Sequence, residues 1–513
     1  MQTPNGARRK AVRLGISLAA LALAGTPRAA SAQGADGLTL EQVVVRAMEG
    51  NPTIHVVRAR ADAVRGSALA AAGRFDTRLG ASVVGQQRSA FETGQAGLVA
   101  STSHTTSYAV EATRQLRSGI TVSPRVTVSR TAHEGVPTVD AGSSVSLNMA
   151  VPLLRDRFGR ASTSHERALR LRADAGRDDV RQATAQGVHK SVTAYWDHTA
   201  AHERLTVHVQ AEERALRRLD ETRTLVRGDE RPASELIPLE AALARARQQR
   251  ISAEQDVEES RAQLGIFLGL DPAATAALPA PATPFPTASL WTPDAAEEAR
   301  LVRLGLERRG DLAASARALR SDEVLREGTR EDLKPRLDLH VSVGYAGRQL
   351  GSGYGGLVEP LFQDVPGLNA SVRMEYQFPP ARSEARGAAA QSEAARAETA
   401  LNLQDLERRV AGGVAVTVHS LRRSAAALAE ADRAVALYRS TVDNEQRKNR
   451  LGAATLFDVT YAEDNLTSAM LAAVAGRLAY ARALAQLRLE TGTLADDTQE
   501  GVVVDPARLL TRP

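Results

Sequence analysis

Two textures of apolar and polar positions alternate along the chain. From Thr77 to Leu154 apolar and polar residues take turns, as at Ile120, Val122, Val126 and Val128 and more cleanly at Val145, Leu147, Met149 and Val151. Period-2 runs separated by Gly-, Ser- and Thr-rich stretches (94–106 and 135–144) predict membrane-type β-strands with polar loops. Pro124 interrupts the first run and predicts an edge strand or a bulge, because proline donates no ladder hydrogen bond. From about Arg155 to Arg227 the texture changes: prolines vanish, Ala, Arg, Glu and Leu dominate, and apolar residues recur at three- and four-residue steps. A second helical stretch covers about Pro232 to Leu268. Some seventy helical residues at 1.5 Å each reach about 100 Å. Such a helix needs neighbours along its whole length, as in a coiled-coil wall.

The segment from Asp271 to Pro293 carries six prolines (272, 279, 281, 284, 286 and 293) and predicts a linker without helix. The same order then returns. A short helical segment, Asp294 to about Lys334, leads into strand-like Arg336 to Tyr345. A Gly-rich loop, Gly351 to Gly367, precedes strand-like Asn369 to Phe378. A very long helix over about Ala381 to Lys448 follows, with Val414, Leu421, Leu428, Val435 and Val442 at strict seven-residue spacing, the period of a packed seam. A last helix runs from about Thr455 to Leu489. At an offset of 223, Ala262-Gln263-Leu264 and Gly269 match Ala485-Gln486-Leu487 and Gly492, Glu235 matches Asp458, Glu240 matches Glu463, and Leu243 matches Leu466. Asn51-Pro52 lies opposite Gly310-Asp311. We read an internal duplication, with repeats at 33–272 and 294–496, a linker at 273–293 and a tail at 497–513.

The first 32 residues change the charge balance. Arg8, Arg9, Lys10 and Arg13 precede an apolar run from Leu14 to Gly25, and Ala30-Ser31-Ala32 is a small-x-small site. This is the anatomy of a secretory signal, with cleavage expected between Ala32 and Gln33. The segment holds five cations and no acid, so its removal takes the formal charge from +5 to zero. Without a net positive excess, nucleic acid is not an expected partner. The 513 residues include no cysteine, which excludes disulfides, thiolate metal sites and an N-terminal lipid acceptor. Beyond the leader no run of eighteen apolar residues occurs, so any membrane crossing must use β-strands of a closed barrel. The strands, roughly four to six, are too few for one chain to close a barrel of at least about eight. Several chains must share one.

Over nearly all of the mature chain the sequence resembles the TolC-type outer-membrane efflux family. The likeness is carried by Leu38-Thr39-Leu40-Glu41 through Ala47 to Asn51-Pro52, and by Val151-Pro152-Leu153-Leu154 with Phe158-Gly159. It continues in Val192-Thr193-Ala194-Tyr195-Trp196, in Gly452, Thr455, Asp458 and Val459, and in Leu487 to Gly492. The resemblance implies a mixed α and β fold. Each protomer of a homotrimer gives strands to a shared transmembrane β-barrel in outer-membrane lipid and long helices to a periplasmic coiled-coil tunnel. It further implies a passive exit channel for efflux or type I secretion, served by a periplasmic adaptor and an inner-membrane pump, with no cofactor and no enzymatic activity. The family plan often has two strands per half, whereas Thr77 to Leu154 has room for four. Two readings stay open: a long, partly extended external loop, or an extra hairpin that decorates or widens the barrel.

Candidate chemistry is sparse. His198 and His202 sit four apart on a helix, beside Glu203 and with His208 further on, but lack an HExxH pattern and a third ligand, so no metal is expected. Gly353 to Gly356 lacks the lysine of a phosphate loop. Tyr195 and Trp196 read as packing between helices. The informative positions lie at the helix-to-helix turns, around Arg227-Gly228 and Arg450-Leu451-Gly452, where glycine lets the chain reverse. By the resemblance these turns, with Thr455, form an adaptor-docking tip, and Asp458 falls where the family places a pore-facing aspartate. Tyr461 stands where a second aspartate can occur, and Glu235 matches Asp458 in the other repeat; all three are candidates for the pore constriction. Asp458 can equally be a plain acid favoured by a helix N-terminus. The first turn departs from the pattern, with Asp229-Glu230-Arg231-Pro232 read as inserted after Gly228. No nucleophile–base–acid set points to an exported hydrolase. A coiled-coil adhesin or envelope spacer is the alternative to a channel, but would have no need of strand pairs feeding each long helix.

Overall fold

The computed structural model describes residues 37–94, 97–134, 138–350, 367–498 and 501–513. The secretory leader, the Ala32–Gln33 bond and nearly all of the Gly351–Gly367 loop lie outside them. The first helical pair is α1 (Leu40–Gly50) and α2 (Pro52–Ala72). A Thr39–Gln42 capping box starts α1, and Asn51 caps α2 with Pro52 at its first turn. Four strands follow: β1 (Arg78–Gly94), β2 (Gly97–Gln115), β3 (Thr121–His133) and β4 (Val139–Pro152). The stretch with room for four strands therefore holds four, not an extended loop. The long helix α3 (Arg160–Arg227) and its partner α4 (Leu236–Leu268) complete the first set.

Within the linker, Pro272–Ala276 is a short helix, α5, which corrects the expectation of none. Pro272 sits in its first turn, where a missing N–H costs nothing, and Asp271 caps it. The helical segment that follows is two helices, α6 (Ala295–Arg308) and α7 (Gly310–Glu331), divided at extended Arg309. Strands β5 (Arg336–Leu350) and β6 (Leu368–Gln377) lead into α8 (Ser383–Arg450) and α9 (Leu456–Glu490). The tail adds a small hairpin, β7 (Asp496–Thr498) and β8 (Gly501–Val503), and buries Leu509.

At 68 residues each, α3 and α8 span about 100 Å. Shorter helices line them: α2, α4, α7 and α9 contact α3, while α6, α7 and α9 contact α8. The seven-residue seam of α8 is inward as expected: Val414, Leu421, Leu428 and Val442 are buried and Val435 is half-buried. The largest core gathers where the shorter helices end. There Tyr195 and Trp196 of α3 are fully buried beside Leu38, Val43, Leu264, Leu268, Ala485 and Leu509. The Tyr195 hydroxyl donates to Leu38 O (3.0 Å) and accepts from Thr283 N (2.9 Å), and Trp196 stacks on Phe285. Both aromatics are packing residues that fasten the linker and the chain start onto α3.

The two sets of elements use matching joints. Gly269, at φ 69, ends α4 so close to the α1–α2 joint that a Cβ would stand 2.0 Å from Gly50 O, and Asn51 donates to Phe267 O. Gly492, at φ 64, follows α9, where a Cβ would meet Arg308 and Arg309; Arg309 pairs with Glu490. Both glycines hold a conformation in which an L side chain is penalised.

Among the described residues six long strands form one antiparallel sheet in the order β1-β2-β3-β4-β5-β6. Pro124 corrects another expectation, because β3 is interior rather than an edge. Register continues unchanged from Glu111↔Arg125 to Arg114↔Val122, so there is no bulge. The ladder pauses on the β2 side, where the missing donor falls, and Ser123 Oγ donates to Thr113 Oγ1 instead.

Candidate functional site

The sheet sorts its residues by face. Opposed residues share a face, and one row runs through every strand: Ala81, Val110, Val126, Val145, Tyr345, Leu368. Below it lie Leu79, Ala112, Pro124, Leu147, Val343 and Ala370, then Val122, Met149, Val341 and Val372, with Arg114 joining that row at the helix-side end of β2. Leu79 is 80% exposed and Val372 72%, with Val83, Met374 and Tyr376 similarly bare. So large an exposed apolar surface is one that water does not tolerate. The opposite face is polar, with Ser144, Ser146, Asn148, Ser342, Asn369, Ser371 and the ion pairs Arg125–Glu111 and Arg348–Asp140. This is the alternation of a membrane strand with one side to lipid and one to water. Among the described residues no helix is long and apolar enough to cross a membrane.

At the far end of the long helices lie the two turns. The α8–α9 turn is a Schellman motif: Ala453 N donates to Lys448 O (2.8 Å), Gly452 N donates to Asn449 O (3.0 Å), and Gly452 takes φ 73. The α3–α4 turn has the same two bonds, Glu230 N to Leu225 O (2.9 Å) and Asp229 N to Val226 O (3.1 Å). Its left-handed residue is Asp229, at φ 61, whereas Gly228 stays at φ −86. The reversal expected at Gly228 is therefore made one residue later. Asp229 and Gly452 stand at the offset of 223, so Asp229-Glu230-Arg231-Pro232 is not an insertion. Aspartate is among the few side chains that visit this region. The duplication offset itself could have revealed this.

The turns lie side by side, because Leu456 at the start of α9 packs on the Leu219, Leu239 and Leu243 cluster with Leu236. Glu235, in the single helical turn preceding α4, accepts from Arg231 Nη1 at 3.0 Å. Asp458 closes a capping box with Thr455. Its Oδ2 accepts from Thr455 N (2.8 Å) and Thr455 Oγ1 (2.6 Å), while Asp458 N donates to Thr455 Oγ1 (3.2 Å). Those bonds hold the Asp458 carboxyl below its ordinary pKa, the Thr455 hydroxyl contributing most. The carboxylate is exposed and charged, and capping is its role within one chain. Tyr461 is 62% exposed and stacks on Phe457, ring centroids 6.4 Å apart. Phe457, Leu451 and Ile237 are barer still, and with Tyr461 they give the tip an apolar surface beside Arg227 and Arg450. The sequence reading missed Phe457, although its i, i+4 spacing to Tyr461 places both on one helix face.

A short way up from the tip, polar groups cross between helices. Arg218 of α3 pairs with Glu463 of α9 and its Nη1 donates to Thr460 Oγ1 at 2.9 Å. Glu463 also accepts from Gln446 of α8. Nothing in the sequence distinguished Arg218 from the other arginines of α3. Higher up, His198 Nδ1 lies 2.9 Å from Ser260 Oγ and its ring meets His202 edge-on. Burial pulls His198 down to about 4, and His189 likewise. Among the described residues no group of three His, Cys, Asp or Glu is placed to hold a metal.

No protein-family model matches the chain. No curated protein matches it either. Solved structures do. The Campylobacter jejuni CmeC outer membrane channel superposes with a TM-score of 0.64 at 15% identity, over 88% of this chain and 85% of that one. The outer membrane protein VceC from Vibrio cholerae gives 0.63 at 15%, over 88% and 96%. The Neisseria gonorrhoeae MtrE outer membrane channel, in its open state, gives 0.61 at 17%, over 88% of each. At such identities the shared property is the fold, which is that of these outer-membrane channels: long paired helices carrying a β-domain. The mixed α and β architecture that the TolC-type resemblance implied is the one observed.

Proposed function

We propose that this chain is the outer-membrane exit channel of a tripartite efflux or type I secretion system. The observation that carries the reading is the six-stranded sheet, apolar and exposed on one face and polar on the other, feeding two helices of about 100 Å. A sheet with unpaired edges does not persist in lipid, because unsatisfied backbone groups there cost several kcal/mol each. Copies of the chain must therefore close it, and three is the number the TolC-type resemblance implies. The helices then form a periplasmic tunnel, and the tip around Arg227, Gly228, Arg450, Leu451, Gly452 and Thr455 docks an adaptor that links it to an inner-membrane pump. Asp458, Tyr461 and Glu235 are the proposed constriction residues. Transport is passive, since the pump supplies the energy. The leader directs export and is removed after Ala32.

Fractionation with planar-bilayer recording tests the reading. The mature protein should begin at Gln33, sediment with outer membranes, run as a trimer by light scattering in detergent and open discrete channels in a bilayer. A processed, folded protein that stays monomeric and never conducts would support the adhesin or spacer alternative.

A further inference from the structure

The sheet offers two more strands than two pairs require, and its register indicates what the surplus hairpin does. Among the described residues, β1 and β6 each pair on one side only. The perpendicular row from Ala81 to Leu368 crosses the strands at rising distances from their helix-side ends. It stands three residues above Arg78 in β1, five from the ends of β2 and β3, seven from the end of β4, and nine in β5 and β6. The climb is steady through β1 and β2, so that hairpin shares the tilt of the other four strands. It also shares their apolar face, through Leu79, Val83, Tyr108 and Val110, all exposed. A hairpin standing apart from the barrel would need neither property.

We infer that all six strands of each copy enter the wall, that β6 of one copy pairs antiparallel with β1 of the next, and that three copies close an eighteen-stranded barrel. This rests on the trimer reading above for the number of copies. Keeping the strand ends level and the apolar faces on the same side fixes the junction register. Leu79 falls opposite Tyr376, Val83 opposite Val372 and Gln87 opposite Leu368 of the neighbouring copy. The row then climbs six residues per six strands. With strands about 4.8 Å apart and about 3.3 Å of rise per residue, that is a tilt of roughly 35°, within the range of membrane barrels. The wall is about 34 Å across, against about 23 Å if only β3–β6 of each copy took part. The polar Ser, Thr and Asn face lines this lumen and makes it a wide aqueous exit.

Because the chain has no cysteine, oxidative crosslinking can read the junction without background. Opposed Cβ atoms in a pair lie about 4.5–5.5 Å apart. Oxidation of the double variant Val83→Cys, Val372→Cys should yield covalent dimers and trimers, and neither single variant should give the covalent trimer. Val126→Cys with Val372→Cys reports the rival closure, in which β3 is the edge that meets β6. Covalent trimers from that pair and none from the first would overturn the eighteen-stranded wall while leaving the trimer intact. Light scattering on the unoxidised protein separates the two questions, since a monomer there would overturn the trimer reading and this closure together. A cryo-EM map of the wild-type protein in nanodiscs counts strands independently of any variant: eighteen supports the closure and twelve refutes it.

Discussion

Arg218 of α3 and Glu463 of α9 form an ion pair in which each side chain is only 9% exposed, where three helices meet above the tip. Their neighbours complete the site, Thr460 accepting from Arg218 and Gln446 donating to Glu463. The repeat-equivalent acid, Glu240, instead pairs with Arg223 on the surface, at 55% and 40% exposure respectively.

That contrast sets the first prediction. Glu463→Ala leaves a buried guanidinium without its anion and should lower unfolding stability by about 3–5 kcal/mol. Glu240→Ala should cost no more than about 1 kcal/mol, as exposed pairs do. Urea unfolding followed by the fluorescence of Trp196 and Trp291 measures both. Equal losses would show that burial does not distinguish the two pairs.

The left-handed glycines give a second graded pair. Gly452→Ala meets open space and bears only its φ of 73, a penalty of roughly 1–2 kcal/mol. Gly269→Ala adds a Cβ 2.0 Å from Gly50 O, so the end of α4 must move away from the α1–α2 joint, and the loss should be larger. Thermal melts of the two variants should rank them in that order.

Protonation should loosen the mid-height core. His189 and His198 are held neutral by burial, their pKa lowered from 6.5 to about 4. Between those values the unfolded chain binds more protons than the folded one, so stability is full above about pH 6.5 and falls toward pH 4. A midpoint for unfolding that does not move between pH 7.5 and pH 5 would contradict this. His198→Gln, which keeps a partner for Ser260 and cannot titrate, should flatten the dependence.

Asp458 carries a cap within one chain and, by our proposal, a charge at the pore axis. Asp458→Asn separates the two, since an amide oxygen still accepts from Thr455 while the charge is gone. Three carboxylates around a narrow axis attract cations, so Asp458→Asn and Asp458→Ala should both reduce cation selectivity and block by multivalent cations in planar bilayers. A change in the same residue of the other repeat, Glu235→Gln, should have the smaller effect. Unaltered selectivity in Asp458→Asn trimers would leave the residue as a cap alone.

The sequence alone determined what depends on neighbours a few residues away. The seam of Val414, Leu421 and Leu428 and the period-2 run from Val145 to Val151 follow from local periods, and each is where it was read. Tertiary structure decided what depends on partners far along the chain. Pro124 sits in an interior strand because β2 pauses its ladder there, and Asp229 takes the glycine's place because the turn, not the residue, sets the φ. Arg218 differs from its neighbouring arginines only because α9 brings Glu463 to it. Likewise the shared tilt of β1–β6 emerges from registers between strands, one of which joins residues almost two hundred positions apart. Hydrophobic period is written residue by residue, whereas register, burial and pairing exist only once distant segments meet.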